Sequence, residues 1–248
     1  MVRSVVGIPV DPTEALLAPR PFAPDENIFE YQRTGHLNGN ILVSGVSRNA
    51  GNHGTFHVDF VHINGKTDAT RVAGSPQSSY SNKGETSRPD WDDENAVWAS
   101  GMFRLPWKVD LSATFDARSG QPYNITTGTD ANGDGVFNDR PSYASAPGPG
   151  IYQTPFGLLT TNTINGTIPR NLGTMRALVH FDTNLSRTFT LTKDKDHART
   201  LSLNARSANL LNHTNITGVD TVLSSSSIGA PIAAEDARRI ELGARFSF

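Results

Sequence analysis

Apolar and polar residues alternate strictly at the end of the chain, RRIELGARFSF. Ile240, Leu242, Ala244, Phe246 and Phe248 make one set, and Arg239, Glu241, Gly243, Arg245 and Ser247 the other. A period of two is the mark of a β-strand with two unlike faces. The pattern recurs in KVDLSATFDARSG, where Val109, Leu111, Ala113, Phe115 and Ala117 oppose Lys108, Asp110, Ser112, Thr114, Asp116 and Arg118. It recurs again in LVHFDTNLSRTFTL (Val179, Phe181, Leu185, Phe189, Leu191) and in TLSLNARSANLL (Leu201, Leu203, Ala205). AVWASGMFRLP sets Val97, Ala99, Phe103 and Leu105 against Trp98, Ser100, Met102 and Arg104. TFHVDFVHI starts with Phe56, Val58 and Phe60 on one face and loses the rule at Ile63, and IFEYQRTGHLNGNILVSGVSR is extended but alternates poorly. The sum is about seven strands and no helix, since no segment shows a 3.6-residue period.

The connections between these strands alternate in length. NAGNHG, PW and KDKDHA are short. The stretches from Lys66 to Glu94, Ser119 to Met175 and Asn212 to Ala237 are long and rich in Gly, Ser, Thr, Asn, Asp and Pro. Structureless loops of that length are uncommon in compact domains, whereas outer-membrane barrels pair short periplasmic turns with long extracellular loops. The expected fold is therefore all-β: an antiparallel transmembrane β-barrel segment. With Phe248 at the periplasmic side, every long loop falls outside the cell, and residues 1 to about 27 join an extracellular loop. An odd strand count with ends on opposite sides reads as part of a larger barrel, because bacterial barrels have even strand numbers. The rival reading is a secreted β-sandwich, in which alternation separates core from water, but it leaves the long loops unexplained. Arg187 interrupts the apolar face. A lipid-facing arginine costs roughly 2–4 kcal/mol at mid-bilayer and about 0–1 near the interface, and its place near a strand end selects the smaller cost.

Composition narrows the partners. Formal net charge is −2, which offers no basic excess to neutralise nucleic-acid phosphates, and there are no cysteines for disulfides, thiolate metal sites or thiol catalysis. The opening MVRSVVGIPVDPTEALLAPRPFAP is too broken by proline for a signal peptide. No run approaches the ~18 apolar residues of a membrane helix, which leaves a membrane barrel open.

Candidate chemistry is sparse. In DANGDGVFND, Asp130, Asn132 and Asp134 occupy positions one, three and five of a calcium-type loop, with Gly135 at the sharp turn. The Val136 carbonyl and Asn138 would follow as ligands. Position twelve is Pro141, so the bidentate carboxylate is missing and Asp139 is the available substitute. The competing reading is an Asp/Asn/Gly turn cluster. His53, His57 and His62 do not share one strand face. No nucleophile elbow, HExxH or phosphate loop occurs, so no enzymatic chemistry is expected. The sequons at Asn124, Asn165, Asn212 and Asn215 suit Asn/Thr-rich loops, and Trp98, Phe103, Trp107 and Tyr123 are candidates for interfacial girdles.

Two sets of motifs carry a resemblance. The ending, with Glu241, Gly243, Phe246 and Phe248, resembles the terminal β-signal that the barrel-assembly machinery reads in outer-membrane proteins. PRPFAPDENIFEYQRTG, LPWKVDLSATFDARSGQPYNITTGTDANGDGVFNDRP, IPRNLG, SANLLNHTN and RRIELGARFSF together resemble the C-terminal part of an Oar-like TonB-dependent receptor. The resemblance implies a barrel of about 22 strands in the bacterial outer membrane, with a plug and a TonB-gripping segment that these 248 residues do not show. It implies as partners the membrane lipid, the rest of the barrel and plug, TonB through that missing part, and a ligand the sequence does not name. The alternatives are a surface adhesion or assembly protein, a secreted Ca²⁺-stabilised binding module, and a truncated remnant without function.

Overall fold

The computed structural model describes residues 2–5, 28–69, 75–79, 81–192 and 199–248. Its main element is a seven-stranded antiparallel sheet. The strands are β1 (Leu37–Asn49), β2 (Gly54–Thr67), β3 (Asn95–Leu105), β4 (Val109–Arg118), β5 (Leu178–Thr190), β6 (Thr200–Ala208) and β7 (Arg239–Ser247). Each pairs with its neighbour in sequence, so the sheet is a meander with β1 and β7 as its edges, and it does not close. No α-helix occurs among the described residues. Strands of nine to fourteen residues meet the ~9–11 residues that a tilted strand needs to cross a bilayer.

The register sorts the side chains into two faces. Phe60, Val97, Ala117 and Val179 lie in one row across β2 to β5, and Leu111, Leu185, Ala205 and Leu242 lie in another across β4 to β7. On the opposite face Trp98, Asp116 and His180 share a row. The expected alternation holds in β3 to β7. In β1 and β2 it changes partway: Ile41 pairs with Ile63 and Val43 with Val61, which places these four on the polar face at the long-loop end. That is why the period-two rule fails at Ile63.

The apolar face is not a dry interior. Leu242 is 81% and Phe248 93% exposed, and Ile240, Phe246, Leu203, Leu185, Phe60 and Val58 are exposed as well. Among the described residues of the seven strands, Ala96 is the one buried hydrophobic. A β-sandwich would bury this face, so the sandwich reading fails and the wall requires an apolar solvent.

Short turns close one end. In the β1–β2 turn the Ala50 N–H donates to Gly54 O at 2.8 Å. Gly54 has φ +137° and backs onto the Met102 carbonyl, where a Cβ would collide. Between β3 and β4, Trp107 and Lys108 take positive φ, and Trp107 stands 79% exposed rather than packing on its turn. The β5–β6 turn KDKDHA and most of residues 1 to 27 lie outside the described residues. Of the IFEYQ stretch, Ile28–Tyr31 is a separate strand paired with Val2–Val5 and not part of the wall.

The long connections are not structureless. They carry short strands, Ile151–Thr154 with Gly157–Thr160 and Ile216–Val219 with Pro231–Ala234 among them. Two of them, residues 119–175 and 212–237, also meet in a core of Ile125, Leu159, Ile168 and Leu223, packed by Tyr123, Tyr152, Phe156, Leu172 and Ile228. The fold thus has a wall with two wetted or lipid-bathed faces and, at one end, a cap with its own dry centre.

Candidate functional site

The cap is held by polar side chains that replace missing backbone partners. Residues 130–139 form one such unit. Asp130 accepts N–H bonds from Asp134 (3.1 Å) and Gly135 (2.9 Å), and Asn132 Oδ1 accepts the same Asp134 N–H at 3.0 Å. Gly133 and Gly135 adopt φ +71° and +80°, a backbone that side chains resist. Asp134 accepts from Val136 N–H (3.0 Å) and from the Ser79 hydroxyl (2.7 Å). Asp139 accepts from Ala131 N–H (2.6 Å) and from Asn132 Nδ2 (2.9 Å). Asn138 Nδ2 donates to Ser75 O and Pro76 O, both at 3.0 Å. Asp130 and Asp139 therefore hold the loop to itself, while Asp134, Asn132 and Asn138 lock it to residues 75–79. Among the described residues no group of three or more His, Asp or Glu side chains is placed to hold a metal ion. Burial pushes the Asp139 carboxyl up to about 7, against the pull of the Ala131 and Asn132 amides, and burial raises Asp134 too.

Two buried arginines complete the cap, and neither stood out in the sequence. Arg140 pairs with Glu85 at 2.8 Å, both side chains 2% exposed, and donates to Ile168 O (3.2 Å) and Gly84 O (3.3 Å). Arg170 reaches from IPRNLG to the top of β2, donating to Thr67 O at 2.9 Å and to the Ser87 hydroxyl at 3.0 Å. Burial lowers its pKa. Asn171, at φ +58°, donates to Arg88 O (2.7 Å) and Asp90 (3.0 Å). In SANLLNHTN, the Asn215 amide imitates a backbone partner for β5, accepting from Val179 N at 2.8 Å and donating to Val179 O at 3.0 Å. Asn209 N–H bonds Asp182 at 2.8 Å. For the arginines a signal existed, since Arg140 precedes Pro141 and Arg170 follows Pro169, but the asparagines carry no such mark.

Beneath the cap, the polar face of the wall carries charges of both signs. Arg118 makes a forked contact with Asp116 (2.9 and 2.7 Å), lies 3.7 Å from Asp93, and sits 5.5 Å over the Trp98 ring. His180 bonds Glu235 of the last long loop and lies 4.0 Å from Asp116. His180, Asp182, Asn209, Glu235, Asp236 and Arg239 border a recess of about 550 Å³. Nearer the short turns are the pairs His57–Asp59 and Arg104–Asp110 (2.8 Å). A second recess, about 610 Å³, opens in the cap between residues 77–86 and 165–169.

The girdle candidates divide. Phe103 stays on the apolar face and Trp107 projects at the short-turn rim. Trp98 instead faces the polar side with Arg118, and Tyr123 packs on the cap core, so those two are not girdle residues. His57 and His62 lie on opposite faces, and His62 bonds Asn95 at 2.9 Å. The four residues of the terminal signal fall in order along β7. Glu241 faces the polar side, paired with Arg239 at 2.9 Å. Gly243 lies against Asn204, whose side-chain amide occupies the space a Cβ would need. Phe246 and Phe248 stack on the apolar side with centroids 5.8 Å apart.

A family model described as an outer membrane beta barrel domain matches residues 7–241. No curated protein and no solved structure matches the chain.

Proposed function

Because the chain belongs to the outer membrane beta barrel domain family and is located in the bacterial outer membrane, we propose that it forms wall and extracellular loops of an Oar-like TonB-dependent receptor. The observation that carries this reading is the cap. Two long loops, residues 119–175 and 212–237, share a core, and polar ties join residues 75–92 to them, above a charged, water-compatible lumen face. Such a lid offers a binding surface outside and a wetted path beneath, as uptake of a ligand requires. The residues that carry the receptor resemblance also have definite work here: Arg170 and Asn215 tie lid to wall, and Arg140 and Asn171 tie the loops of the lid to one another.

In this function β7 is the strand the assembly machinery reads, with Phe246 and Phe248 at the periplasmic interface. A plug and a TonB-gripping segment come from sequence beyond these residues. The role is binding and passage, without covalent catalysis. The experiment is co-purification of the full-length protein with the periplasmic domain of TonB, together with reading the coding sequence upstream of Met1. A plug-coding frame and a TonB complex support the receptor. A complete protein with neither is an adhesion or assembly protein that uses the same lid to hold a partner.

A further inference from the structure

The apolar face of the wall carries an unexplained cation. By register every carboxylate of the seven strands (Asp59, Asp110, Asp116, Asp182 and Glu241) lies on the lumen face. Arg187 lies on the lipid face, opposite Leu203, which in turn faces Ala244. No carboxylate among the described residues pairs with it. Its guanidinium rests over the Phe189 ring at 4.4 Å. Leu203 and Ala244 lie in the row of Arg187, and on its midplane side Ala205 lies between Leu185 and Leu242. They leave a trough of about 500 Å³ that Arg187 itself borders.

The depth of this arrangement gives it a direction. Arg187 is three residues from the periplasmic end of β5, Thr190. That is about 10 Å along the strand, and less in depth because barrel strands tilt by about 35–45°. The cation therefore lies close to the periplasmic headgroup level, and the trough runs from it toward the middle of the bilayer. A lipid of the periplasmic leaflet has the same polarity, with its anion below and its chains above. We propose that Arg187 and the trough bind one glycerophospholipid of the periplasmic leaflet. The guanidinium holds the phosphodiester oxygens by charge-assisted hydrogen bonds, and one acyl chain lies across Ala205 and Ala244. The site also explains how an arginine is tolerated on a lipid-facing surface: its counter-ion comes from the membrane.

The test is native mass spectrometry of the full-length protein in detergent, titrated with dioleoylphosphatidylglycerol. Dioleoylglycerol and inorganic phosphate serve as comparison probes, and circular dichroism verifies the sheet in each variant. One phospholipid per chain should be retained. Arg187→Gln should weaken retention about tenfold, and Ala244→Trp, which fills the trough and leaves the cation, should weaken it similarly. Should Arg187→Gln fail to fold, Arg187→Leu, which removes the cation and suits a lipid-facing position, takes its place beside Ala244→Trp. Dioleoylglycerol bound as tightly as the phospholipid removes the role of the phosphate. Competition by equimolar inorganic phosphate removes the role of the chain. Unchanged retention in both variants removes the site.

Discussion

Replacing Arg140 by methionine strips the buried ion pair of the cap of its cation. At 2.8 Å and an effective dielectric of about 20, the attraction to Glu85 is about 6 kcal/mol. Most of that offsets the cost of drying both ions, so the pair's net worth is small. The loss of one partner is not small. Glu85 then keeps the Gln77 N–H (3.1 Å) and only the more distant charge of Arg170, and the carbonyls of Ile168 and Gly84 lose their donor. Removing one member of a buried pair costs about 3–5 kcal/mol. At 1.4 kcal/mol per factor of ten, a loss of about 4 kcal/mol raises the opening constant of the cap several-hundred-fold. Hydrogen exchange in detergent, read on peptides spanning 75–92 and 119–177, measures this directly. Peptides from β4 and β7 act as internal controls and should exchange as in the unaltered protein. Adding Glu85→Leu to Arg140→Met removes the stranded anion and should restore part of the protection, though not all, because the two carbonyls stay unpaired. A double variant no more protected than Arg140→Met alone, or a single variant costing less than about 1 kcal/mol, would refute the account of the cap as held by a compensated buried charge.

Asn215→Ala removes two hydrogen bonds from Val179 and should destabilise the junction of β5 with the last long loop by about 1–3 kcal/mol, seen as faster exchange at residues 178–182. Gly243→Val forces a side chain into the Asn204 amide and should lower the yield of folded protein in membranes, whereas Gly243→Ala, which Asn204 can accommodate by shifting, should lower it less. Asp139 titrates near 7 when folded against 3.8 unfolded, so the folded cap binds the proton more tightly. Its contribution is greatest below about pH 4 and is lost as pH rises through about 7, a change bounded at about 4 kcal/mol. Exchange protection of residues 130–139 that is flat from pH 4.5 to 8 would contradict this. Because protein donors already occupy the oxygens of Asp130, Asp134 and Asp139, that protection should be the same in millimolar Ca²⁺ and in chelator. A rise with Ca²⁺ would restore the calcium-loop reading.

The wall was legible because its physics is local. In β4, β5 and β7 each residue's neighbours two positions away share its solvent, so lipid and water write themselves into the sequence with period two. The rule failed where the environment did not follow it: Val61 and Ile63 share the lumen side with Val43 and Ile41. The cap was illegible for the opposite reason. Ile125, Leu159, Ile168 and Leu223 come from segments nearly a hundred positions apart at the extremes, with no periodicity to mark them. Its ties are single Asn, Asp and Arg side chains bonding backbone groups in another loop. The DANGDG stretch shows the ambiguity at its sharpest. Residue types that suit a cation also suit a chain of N–H donors, and spacing alone did not separate the two.

The free edges of the meander restrict any closed assembly. With seven staves alternating in direction, β1 and β7 point the same way. Zipping one onto the other would make a parallel seam in an otherwise antiparallel cylinder. An unbroken antiparallel hoop that includes this wall must contain an odd number of further staves between those two edges, whichever polypeptide supplies them.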